Sequence, residues 1–74
     1  MNELCDRISH ILRYESSEIV YQAKDGTLLV HPNCYALSGT ALANLAALCD
    51  TERRTFILSI CSISDPKLEL QISL

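Results

Sequence analysis

Hydrophobic and polar positions alternate along this chain at two periods, and the changes of period divide it into six elements. Leu4, Ile8, Ile11 and Leu12 fall on one stripe, with Glu3, Asp6, Arg7, His10 and Arg13 on the other side. That pattern predicts an amphipathic helix, capped by Asn2 and ending near Tyr14, followed by a short linker at residues 15–17. Residues 18–23 and 27–31 are rich in β-branched and aromatic side chains and flank Lys24-Asp25-Gly26. Asp-Gly predicts a type I′ hairpin turn, because both central residues need positive φ and glycine supplies it without steric strain. Pro32 has no N–H to donate and ends the second strand. Residues 33–35 make a turn, and Ser38 is the predicted cap of a second helix.

The chain is organised around that second helix. No charged residue occurs from position 32 to position 49, and Leu37, Ala41, Leu45 and Leu48 recur at helical spacing beside Leu42 and Cys49. The opposite side is not the usual charged face but a row of small residues, Gly39, Ala43, Ala46 and Ala47. A helix that is apolar or small all round is expected to be covered on more than one side. Gly39-x-x-x-Ala43 with Ala46 and Ala47 lets another backbone come close on plain steric grounds. Either the first helix or another subunit is expected on that face.

Residues 50–53 close the helix. Residues 55–63 then read as a central, two-sided strand, with Phe56, Leu58 and Ile60 on one face and Ile57, Cys61 and Ile63 on the other. Asp65-Pro66 supplies a turn. Leu68, Leu70, Ile72 and Leu74 alternate with Glu69, Gln71 and Ser73, which predicts a strand with one wet face. With no later helix to cover it, this last strand is expected at an exposed edge or where another chain adds on. The expected fold is therefore α+β, a single domain over residues 1–74 in the order α-β-β-α-β-β. It places a four-stranded antiparallel sheet under two helices on one face.

Composition narrows the function classes. Seventy-four residues, 49% hydrophobic and 20% charged, describe a folded chain, and one this short buries only roughly 60% of its extended surface. Help from a second subunit, a disulfide or a metal would widen that thin margin. The net charge of −3 comes with scattered lysines and arginines, so no basic patch marks binding to nucleic-acid phosphates. Charges throughout residues 1–14 argue against a signal peptide, and no stretch approaches the ~20 apolar residues of a membrane span. A cytoplasmic setting with reduced thiols is expected for Cys5, Cys34, Cys49 and Cys61, which form no C-x-x-C pair.

Chemistry-bearing groups are few. His31-Pro-Asn-Cys34 is the one compact group with ligand or nucleophile character. A metal site there would need further ligands from His10, Cys5, Cys49 or Cys61, and a thiol enzyme would need Cys34 activated by His31 and a third, orienting group. The spacing supports neither chemistry, and loop and core roles explain these residues better. Both glycines are taken by a hairpin and a helix, leaving no phosphate loop, and Tyr14, Tyr21 and Tyr35 are too dispersed for a stacking platform. No catalytic residue, cofactor or metal is therefore expected.

The Lys24-Asp25-Gly26 hairpin and the Ala/Leu-rich helix after it carry a topological resemblance to the roadblock/LC7 domains, which dimerise and serve as adaptors. Dedicated secretion chaperones, small acidic α/β homodimers, are similar in the same coarse sense. Each carries further elements that this chain lacks, and neither lends it a functional residue. The leading expectation is a non-catalytic protein-binding module, an adaptor, dedicated chaperone or phage-type inhibitor of a larger protein machine, acting as a homodimer. Its expected contacts are Gly39, Ala43, Ala46 and Ala47 on the helix and Leu70, Ile72 and Leu74 on the last strand. The alternative is a small-ligand or metal-binding protein using His31 and Cys34.

Overall fold

The structure, a computed structural model, describes residues 2–16, 18–61 and 64–74. Ser17 of the expected linker and Ile63 of the expected third strand lie outside the described residues, as does the side chain of Asn2. Six elements follow in the expected order: α1 (Asn2–Leu12), β1 (Val20–Lys24), β2 (Thr27–His31), α2 (Gly39–Thr51), β3 (Phe56–Ile60) and β4 (Leu68–Ser73). The strands form one antiparallel sheet in the order β1-β2-β4-β3.

Local chemistry accounts for the element ends. Asp25 and Gly26 both take positive φ, 53° and 76°, as a type I′ turn requires. Ser38 caps α2, its hydroxyl accepting from the Ala41 N–H at 3.1 Å. Its own N–H donates to Glu15 Oε1 at 2.8 Å, so the exit of α1 is tied to the entrance of α2. At the far end, Arg53 adopts a left-handed φ of 55°. Arg53 N–H reaches Asp50 O and Arg54 N–H reaches Cys49 O, the paired bonds of a Schellman ending.

One face of the sheet carries the core. Register places Tyr21, Val30, Leu70 and Leu58 in one row across the strands, and Ala23, Leu28, Ile72 and Phe56 in the next. Leu28, Val30, Leu70 and Ile72 are fully buried there with Ile8 and Leu12 of α1 and Leu45 of α2, joined by Leu4, Ala41 and Cys49. Tyr21 is half-buried, its hydroxyl donating to the Cys5 carbonyl at 3.1 Å and bonded to the Ser9 hydroxyl, which pins α1 over β1.

The strand order corrects two expectations. The last strand, β4, lies inside the sheet between β2 and β3, and β3, expected to be central, is an edge. Leu70 and Ile72, expected to be interface residues, are sealed in the core, while Leu74 is half exposed with its N–H bonded to Gly26 O. The reason is that β4 finds partners along both of its sides: β2 takes one ladder and β3 the other. An alternating strand and a doubly paired one have the same side-chain pattern.

The small-residue face of α2 is also settled. Ala41, Leu45 and Cys49 point into the core, and Gly39, Ala43, Ala46 and Ala47 are all exposed. α1 does not cover them. It lies along the Asn44 and Leu48 flank of α2, where its His10 and Ile11 approach those two residues across shallow surface clefts.

Candidate interaction surface

Two features of this fold could meet a partner or ligand: the outer edge of β3 with the nearby flank of α2, and the open face of the sheet.

The sequence from Thr55 to Ser64 carries no charge and no proline. Natural edge strands are commonly blunted by lysine, proline, bulges or a covering segment. The opposite edge strand, β1, exposes one large apolar residue, Val20, and has Gln22 and Lys24 beside it on its open side, whereas β3 offers Ile57, Leu58 and Ile60 with exposures of 58%, 39% and 64%. Leu58 and Ile60 share the helix-covered side of the sheet with Leu70 and Leu68 but lie beyond the cover of the helices. The backbone is directed in alternation. Cys61 N–H donates to Lys67 O, and Thr55 O accepts from Ser73, so the odd-numbered residues of β3 turn their polar groups toward β4. Phe56, Leu58 and Ile60 turn theirs outward, where no described strand pairs with them.

Helical phase brings α2 into the same surface. At 100° per residue, Leu42, Ala46 and Gly39 lie on the side of the core-facing row away from Asn44 and Leu48, and thus away from α1. Tyr21 fixes α1 over β1, so that free flank of α2 looks toward the β3 edge. A Cβ built on Gly39 would meet nothing within 4 Å apart from its chain neighbours and its own helix backbone. The helix residues were legible in the sequence. Ile57, Leu58 and Ile60 were missed as surface residues, although the absence of any charge across them was the available signal.

The open face is more polar. His31 Nε2 bonds Glu69 Oε2 at 2.8 Å across the β2–β4 ladder, and Gln71 donates to Glu69 Oε1 at 3.0 Å. These hydrogen bonds, Gln71 first and His31 second, hold the Glu69 carboxyl below its ordinary value. Beside the pair is an open cleft of about 350 Å³ lined by Glu18, Val20, His31, Asn33, Cys61 and Lys67. Cys34 does not line it; this half-buried residue offers its carbonyl to the Leu68 N–H at 2.8 Å. The structure thus associates His31 with Glu69 and Cys61 in place of Cys34. Among the described residues no group of three or more His, Cys, Asp or Glu side chains is placed to hold a metal ion.

Burial pushes the Cys49 thiol up. The Tyr21 hydroxyl is raised by burial, with the Ser9 hydrogen bond acting against it. The exposed rings of Tyr14 and Tyr35 each lie under a cation, Arg13 at 4.7 Å and Lys67 at 5.8 Å. Among the described residues no helix is long and apolar enough to cross a membrane. No known protein family, curated protein or solved structure matches the chain.

Proposed function

We propose that this chain is a small non-catalytic protein-binding module of the cytoplasm, an adaptor, dedicated chaperone or inhibitor of a larger protein machine, that works as a homodimer. The observation that supports this reading is the uncharged surface left uncovered by the fold: Ile57, Leu58 and Ile60 at the β3 edge, and the exposed Gly39, Ala43, Ala46 and Ala47 on α2. Large apolar side chains left exposed together on a small domain are a mark of an interaction surface.

Photo-cross-linking in the native cell tests it. With a photoreactive residue at Ala47, a discrete adduct to a second protein is expected, and Lys24 carrying the same group serves as the control. Adducts at neither position, or equal smears at both, would overturn the reading. The cleft beside His31 favours a second reading, a small-ligand site built on His31, Glu69 and Cys61. In that case His31→Ala would abolish the chain's cellular activity with the fold intact, whereas the binding module tolerates the change.

A further inference from the structure

We infer that the occupant of the β3 edge is a second copy of this chain, paired antiparallel with it about a two-fold axis through Leu58, so that the two sheets join into one of eight strands. The inference rests on the protein-binding reading above and specifies where its homodimer seam lies.

Three observations lead to a second copy. The first is backbone direction: Phe56, Leu58 and Ile60 present their N–H and C=O groups outward at every second position, the spacing that another antiparallel strand needs. The second is self-complementarity. With Leu58 opposite Leu58, Phe56 faces Ile60 of the partner on the helix-covered side and Ile57 faces Ser59 on the open side. On the helix-covered side apolar groups meet apolar groups, the open-side Ile57–Ser59 pairs are mixed but uncharged, and all three outward pairs are of the kind that exchange two hydrogen bonds. The third is charge. The chain has a net charge of −3, yet residues 55–64 and the α2 segment from Gly39 to Cys49 are neutral, so two copies meet there without repulsion. A partner recognised by charge would find nothing to read.

Area then decides how much of the surface takes part. A stable interface buries roughly 1,200–2,000 Å² in total, or about 600–1,000 Å² from each copy. This chain exposes 4828 Å², so at least about an eighth of it must be covered. A five-residue strand edge is too small for that by itself. The α2 flank carrying Leu42 and Ala46 extends the seam, and its small side chains allow the two helices to approach over Leu58 and Ile60. Both residues would pass from partial exposure into a shared core, which adds the buried area that a chain of this length lacks.

Amide hydrogen exchange of the full chain, read together with light scattering over a dilution series, tests the seam. In a single copy the Ile57 and Ser59 amides are bonded to β4 while those of Phe56, Leu58 and Ile60 exchange freely. In the proposed dimer all five are protected, with the outward three slowed about 100-fold or more and released again on dilution. Ile60→Lys, at a position 64% exposed, should give a folded monomer in which the alternation returns. A dimer that keeps the alternating pattern would place the seam elsewhere and overturn this inference, leaving the protein-binding reading in place. A mass of one chain at every concentration would also overturn it. The Ala47 cross-link reports on the broader reading independently of either result.

Discussion

Arg7 Nη1 lies 2.8 Å from Glu52 Oε2, joining the middle of α1 to the residue that caps the C-terminus of α2. Glu52 Oε1 accepts from Arg54 Nε at 2.9 Å, and Arg54 Nη1 continues to the Ser73 carbonyl at 3.0 Å. One carboxylate therefore connects both helices to the end of β4. The Arg54 hydrogen bond foremost, and that of Arg7 after it, hold the Glu52 carboxyl below its ordinary value of 4.5.

The acid limb of stability follows from this and from two similar groups. Glu15 is lowered by its bonds to Ser38, and Glu69 by Gln71 and His31. Each has a folded value below the unfolded 4.5. Their stabilisation is complete above that value and is lost as the pH falls below it toward the folded values. Urea unfolding across the acid range should therefore show a falling midpoint. Glu52→Gln should lower stability at neutral pH and flatten the fall, and a variant with an unchanged slope would remove Glu52 from this account.

The cap of α2 should be separable from the core. Ser38→Ala deletes the acceptor for the Ala41 N–H and is expected to cost about 1 kcal/mol, while Ser38→Thr, which keeps the hydroxyl and adds no charge beside Glu15, should retain most of the cap. Equal losses in both variants would place the role of Ser38 outside capping. Thermal unfolding at constant protein concentration is the appropriate readout, since any self-association would add its own term.

Arg53 offers a gain. Its left-handed φ of 55° strains a residue bearing a Cβ, at the position in a helix ending where glycine is most favoured. Arg53→Gly is expected to stabilise the fold by up to about 1 kcal/mol, and Arg53→Ala to give no gain, because alanine keeps the steric clash. A stabilising alanine would show that loss of charge, not backbone relief, is responsible.

Two neighbouring positions of α2 should behave oppositely. Leu45 is fully buried, and Leu45→Ala is expected to cost about 2–5 kcal/mol through lost burial and the cavity left behind. Ala43 is exposed, and Ala43→Arg should leave the stability within about 0.5 kcal/mol while abolishing the adduct formed from the photoreactive residue at Ala47. Unfolding midpoints for the two variants, measured side by side, check the first contrast directly.

Much of the fold was legible because its signals are local. The Asp25-Gly26 turn, the Ser38 cap and the Leu/Ala period of α2 each depend on residues within a few positions of one another, and each appears where the chemistry demands. The candidate surface was legible only in part. Gly39, Ala43, Ala46 and Ala47 stood out by size, but whether α1 covered them depended on the side of α2 along which α1 packs. His31 was legible as a reactive type, whereas its partner Glu69, thirty-eight residues away, is brought to it by the β2–β4 ladder.

The sequence by itself determined the six elements, their order, and which residues of β4 turn inward, since side-chain alternation and backbone conformation are properties of each segment. Only the tertiary structure decided that β4 is enclosed and β3 is the edge. Strand neighbours are chosen through backbone hydrogen bonds that are the same for every residue type, so the side-chain pattern does not encode them. An uncharged strand with apolar residues on both faces has the same pattern whether neighbours flank it within one chain or one side awaits another. In this fold β3 has β4 on one side and an open edge on the other, and its apolar sequence makes that edge the place to look for a partner.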